Sequence, residues 1–121
     1  MTIHDACHGK AYDKVLDIIK NDATAVNQVD QFGQTPLHAA CTVDANDNIL
    51  DLLITLQRNL NIRDHDGYTP LLRAAASGKV DNVRILTNIL DIDRNATTPK
   101  GMTYKDLLRM ARKEGDMNEY R

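Results

Sequence analysis

The sequence has no tryptophan and one phenylalanine, with four tyrosines, among 121 residues. A core without large rings must be assembled from Leu, Ile, Val and Ala, each of which removes little area from water, so stability has to come from many similar contacts. Cysteine is almost as scarce: Cys7 and Cys41 are the only two, which excludes a disulfide framework in a chain long enough to build its own core. No apolar run approaches the ~18 residues of a membrane span, and the opening MTIHDACHGK is polar and acidic where a secretory signal is apolar. A soluble protein of the cytoplasm or nucleus is therefore expected. Charge of one sign is lacking too, with 15 Lys and Arg against 17 Asp and Glu. No global field is left to hold nucleic acid or an anionic membrane, and neither is expected as a partner. An apolar share of 42% with 26% charged residues is a globular balance rather than a disordered one. The length falls short of ~150 residues, so a single domain over 1–121 is expected.

What the sequence does have is internal repetition. IHDACHGKAYDKVLDII, from Ile3, lies over LHAACTVDANDNILDLL, from Leu37, at an offset of 34 residues without a gap. His4, Ala6, Cys7, Leu16 and Asp17 recur as His38, Ala40, Cys41, Leu50 and Asp51, and the same offset carries Asp30, Gly33, Thr35, Pro36 and Leu37 onto Asp64, Gly67, Thr69, Pro70 and Leu71. A period of this length predicts stacked supersecondary units. Thr35-Pro36 and Thr69-Pro70 pair an N-cap hydroxyl with proline at the first helical position, where its missing N–H costs nothing, so helices should start there. Leu37, Ala40 and Cys41, like Leu71, Ala74 and Ala75, keep i, i+3, i+4 spacing, and their small members admit a close neighbour. A second apolar stripe follows each: Val15, Leu16, Ile18 and Ile19, then Ile49 to Leu56, then Val83 to Ile89. Two short antiparallel helices per unit are predicted, each pair stacked on the next. In the connectors NQVDQFGQ and NIRDHDGY, Gly33 and Gly67 should take positive φ in a protruding turn.

DQFGQTPLHAA and DHDGYTPLLRAAASGKVDNVRILT together resemble the ankyrin repeat, D-x-x-G-x-T-P-L-H-x-A-A followed by a turn and a V-x-x-L-L helix. The resemblance implies an all-α solenoid of antiparallel helix pairs with β-turn fingers, whose concave face binds another protein. Units near 1–29 (an N-terminal cap), 30–62, 63–94 and 95–121 (a C-terminal cap) follow. Several positions depart from the pattern. Met1-Thr2-Ile3 stands where Thr-Pro-Leu belongs, and Leu72 replaces the histidine of the third unit. TVDANDN lacks the turn glycine, so that loop should be irregular. The last unit has Tyr104 in place of proline, and its helix is expected from about Tyr104 to Lys113.

His4, Cys7 and His8 have i, i+3, i+4 spacing that suits zinc. The resemblance instead assigns His4 and His38 to a position that bonds neighbouring backbone, and Cys7 and Cys41 to a small buried position. With no carboxylate placed to orient a metal ligand, no metal site is expected. Asp30 and Asp64 read as turn-stabilising residues, since they repeat, rather than as a catalytic pair. No glycine-rich phosphate loop, nucleophile elbow or acid–base constellation is present, so neither an enzyme nor a cofactor is expected. The resemblance points the finger and first-helix residues at a partner: Val29, Gln31, Phe32, Gln34, Arg63, His65, Asp66, Tyr68, Lys100 and Met102, with Thr42, Val43, Ala76 and Ser77 adding shape at the first-helix ends. Phe32, Tyr68 and Arg63 are the candidate anchors, because aromatic and Arg side chains commonly dominate interfaces. A non-catalytic adaptor or inhibitor, monomeric by itself, is the leading reading. A scaffold, assembly or targeting fragment is the alternative.

Overall fold

A computed structural model describes residues 2–44, 47–57 and 59–119, the last seven as helix backbone. Thr35 and Thr69 cap helices as their Thr-Pro pairs predict. The Thr35 hydroxyl accepts from His38 N–H at 3.3 Å and opens helix Pro36–Cys41, and Thr69 does the same for Leu72 N–H and helix Pro70–Ala76. In chain order the helices are α1 (Ile3–His8), α2 (Tyr12–Asn21), α3 (Pro36–Cys41), α4 (Asp47–Leu56), α5 (Pro70–Ala76), α6 (Val80–Thr87) and α7 (Tyr104–Glu119). There is no strand among the described residues.

The short helices α1, α3 and α5 and the longer α7 pack one on the next as an inner row, and α2, α4 and α6 pack on the backs of α1, α3 and α5. Helices of six or seven residues cannot persist alone, so the stack itself stabilises them. Ala40, Cys41, Ala74 and Ala75 are buried on the inner row and let neighbouring backbones approach. Leu37, Leu50, Leu53, Leu71, Leu72 and Leu86 are buried in the hydrophobic core. Asn82 crosses a unit junction, its amide donating from α6 to the Cys41 and Val43 carbonyls at 3.0 and 2.7 Å.

Three details differ from expectation. The first helix is capped without a Thr-Pro pair: the Thr2 hydroxyl accepts from Asp5 N–H at 3.1 Å and Ile3 takes the buried place beside it. Thr103, in register with Thr35 and Thr69, caps α7 by exchanging bonds with Asp106, and the helix starts at Tyr104 as expected. The first unit thus omits the proline and moves its cap one residue closer to the apolar anchor, whereas in the last unit Tyr104 stands at the proline position and the cap keeps its register. Helix α7 runs to Glu119, beyond the expected Lys113. Gly115 costs a helix about 1 kcal/mol without stopping it, and neither proline nor a β-branched residue follows. A 3-10 helix at Ala23–Asn27, started by the Asp22 side chain bonding Thr24 N–H, fills part of the first connector. Within the TVDANDN loop, Ala45 and Asn46 lie outside the described residues, so its expected irregularity concerns residues not described.

Candidate functional site

Three connectors fold into the same finger. In each, the first residue's N–H meets the fifth residue's carbonyl: Asp30 with Gln34 at 3.0 Å, Asp64 with Tyr68 at 2.8 Å, and Thr98 with Met102 at 2.9 Å. Asp30 and Asp64 hold their turns as predicted. Asp30 Oδ1 accepts from the Phe32 and Gln34 amides, and Asp64 Oδ1 from the Asp66 and Tyr68 amides. Thr98 replaces aspartate in the third finger and its hydroxyl accepts only from Met102 N–H. Gly33 and Gly67 take φ of 74° and 82°, as their turns require. Each is also a seat for the next finger: a Cβ on Gly33 would come within 2.5 Å of the His65 ring, and one on Gly67 within 2.7 Å of Pro99.

The fingers are tied to the inner row and to each other. His4 Nε2 donates to the Gln34 carbonyl at 2.7 Å, and His38 Nε2 to the Tyr68 carbonyl at 2.8 Å, which is the backbone-bonding role expected of both. His38 Nδ1 accepts from Thr35 N–H at 3.0 Å, so the ring is the neutral Nε2–H tautomer. Burial of that ring, against weaker opposing contributions from the Tyr68 carbonyl and Asp64, lowers its pKa below 6.5. Phe32 C=O accepts from His65 N–H, joining the first two fingers. Arg63 Nη1 joins the next two by donating to the Gly67 and Thr97 carbonyls at 2.6 and 2.7 Å.

An ionic cluster stands behind the second finger. Arg73 on α5 pairs with buried Asp64 at 2.6 Å and with exposed Asp66 at 2.8 Å, and its guanidinium lies 4.3 Å from the centre of the Tyr68 ring. Burial alone would raise the Asp64 carboxyl, but the hydrogen bonds from Arg73, Tyr68 N–H and Gln34 outweigh it and hold the group below its usual range. Arg73 was not among the residues expected here. The repeat register places Asp5 and Ala39 at its position, so periodicity carries no signal for it. The only clue was a cation nine residues after the turn aspartate.

The expected contact residues occupy two kinds of place. Val29, Gln31, Phe32, His65, Asp66, Ala76, Ser77 and Lys100 are exposed. Arg63 is exposed but its guanidinium is engaged in the finger tie described above. Gln34, Thr42, Val43, Tyr68 and Met102 are half-buried. Tyr68 and Met102 pack against the core, and Gln34 donates to Asp64 at 3.3 Å. Thr42 bonds the Ala39 carbonyl and approaches His8 Nε2 at 3.2 Å.

The cysteines are buried free thiols. Burial pushes Cys7 up to about 12 and Cys41 higher still, with the neighbouring Cys7 adding to the second shift. Neither is a thiolate at neutral pH, the form that binds metal or attacks an electrophile. His4 has its Nε2 committed to the Gln34 carbonyl, and no group of three or more His, Cys, Asp or Glu side chains that could hold a metal ion occurs among the described residues.

A family model described as ankyrin repeats in three copies matches residues 3–98. Comparison with curated proteins finds no match. Helix pairs at a 34-residue period, fingers at the same three places and a family match over most of the sequence agree, and the chain belongs to the ankyrin repeat family.

Proposed function

We propose that this chain is a non-catalytic recognition module that works as an adaptor or inhibitor, meeting a partner protein with the face built from its fingers and inner helices. Ankyrin repeats are generally protein–protein interaction modules. The observation that carries the reading to this face is Phe32. It is the single phenylalanine of the chain, it is 59% exposed at a finger tip, and its side chain has no part in the turn bonds that hold the finger. Val29, 57% exposed, lies beside it on the same connector. Tyr68 is a structural ring under Arg73 as well as a candidate contact, so its removal would disturb packing.

Quantitative affinity capture from the source cell should compare wild type with Val29→Ala/Phe32→Ala, using Leu90→Ala, in the exposed loop after α6, as the control. A protein retained by wild type and the control but lost with the double variant supports this face. Retention of the same proteins by all three counts against it and favours the scaffold or assembly role instead.

A further inference from the structure

Charge is not distributed uniformly along the chain. Residues 1–60 carry four Lys or Arg against eight Asp, whereas residues 61–121 carry eleven against nine Asp and Glu. One position on the inner row reads Asp5, Ala39 and Arg73 from α1 to α5, and Arg73 is already occupied by Asp64 and Asp66. The negative charge at the α1 end therefore has no cation of the inner row to offset it.

At that end a cleft of about 420 Å³ opens between α1 and the first finger. Thr2, His4 and Asp5 line one wall, and Val29, Asp30 and Phe32 the other; no Lys or Arg lines it. Asp5 is exposed, and neither Asp5 nor Asp30 is in an ion pair among the described residues. Two exposed apolar side chains thus share a cleft with two unpaired carboxylates.

We propose that this cleft receives a basic, apolar segment of the partner protein. An aliphatic or aromatic side chain packs on Val29 and Phe32 while an adjacent Lys or Arg lies between Asp5 and Asp30. The inference rests on the recognition reading above and adds the chemistry of the ligand. An acidic segment would be repelled. A neutral apolar one would desolvate Asp5 and the Asp30 oxygen not used in the turn with no charge to compensate them. A cation satisfies both, and an arginine can also lie over the Phe32 ring.

The test is a titration of the isotope-labelled full chain with three synthetic twelve-residue probes. All share the same leucine and tryptophan positions, and the remaining positions are Lys/Arg, Glu or Ser. The basic probe should move the amides of Thr2, Asp5, Val29 and Phe32, bind at least about tenfold tighter than the acidic probe, and weaken as salt rises. Asp5→Asn/Asp30→Asn, which keeps the Asp30 turn acceptor, should lower its affinity about tenfold, and Phe32→Ala about thirtyfold. Equal binding of all three probes in the cleft would overturn the charge assignment and leave the recognition face standing. Binding that maps to α7 or to the outer helices would overturn both. The inference also fails if no probe binds. The same amides shifting with protein concentration alone would make a second copy the occupant, which overturns it too.

Discussion

The first two fingers and the third are held in place by different chemistry. His4 and His38 each reach from an inner helix to the carbonyl that closes the next finger. At the third finger the corresponding side chain is Leu72, fully buried and unable to donate. That finger also has Thr98 where the others have aspartate, with one turn bond from the side chain instead of two. Its ties come from the preceding connector: Arg63 to the Thr97 carbonyl, and Asn61 to the Asp91 carbonyl and Asp93 N–H at 2.7 and 2.8 Å. The buried His38 imidazole fixes direction and has a lowered pKa. A leucine adds burial and leaves direction to exposed partners.

The largest effect should come from the core that both kinds of junction share. Leu53→Ala leaves a cavity where a side chain is fully buried and should cost about 2–5 kcal/mol in chemical denaturation. An unchanged midpoint would mean the packing register is wrong. Next, His38→Leu makes the second finger's attachment like the third's. It strands Thr35 N–H and the Tyr68 carbonyl and should cost about 1–3 kcal/mol. A neutral result would show that the imidazole tie contributes no more than leucine does.

Acid should separate the two junctions without mutation. The folded pKa of His38 lies below its ordinary 6.5, so the unfolded chain binds more protons in that interval and stability rises with pH. The contribution is complete above about pH 6.5 and is lost as pH falls through the folded pKa. Denaturation midpoints should therefore fall on acidification from neutral pH, and His38→Leu should remove part of that slope. An identical slope in the variant would assign it to other groups.

Arg63→Ala should loosen the third finger selectively, raising amide hydrogen exchange at Thr98, Gly101 and Met102 with a global cost of about 1 kcal/mol. Faster exchange in the first finger instead would contradict the division. The smallest effect on stability belongs to Phe32→Ala, within about 0.5 kcal/mol because the ring is exposed. A larger loss would place that ring in the fold rather than on the binding face.

Much of this was legible because the chain states it more than once. Turn glycines occur three times, and Thr-Pro caps, turn aspartates and the histidine ties twice, at one spacing, and each acts within a few residues or between adjacent units. Arg73 was illegible for the opposite reason. It occurs once in its register, and its partners Asp64, Asp66 and Tyr68 meet it only when α5 packs behind the finger. The moved cap at Thr2 was hidden because the alignment follows the apolar anchors, whereas a cap follows the helix end. Helix α7 outran its expected limit because one glycine is a small local cost and not a stop. For the binding face, sequence nominated the tips but could not separate Phe32, whose side chain is free of structural duty, from Arg63, which stitches two fingers.

The seating of His65 on Gly33 and of Pro99 on Gly67 has a thermodynamic consequence. Each tip rests directly on the backbone of the finger before it, so the three tips form a comb of fixed pitch whose teeth cannot be adjusted one at a time. A ligand spanning them finds the loops already ordered and does not bear the entropic cost of ordering them. It must also match the pitch, because a mismatch at one tooth would have to be absorbed by the ligand and not by the comb.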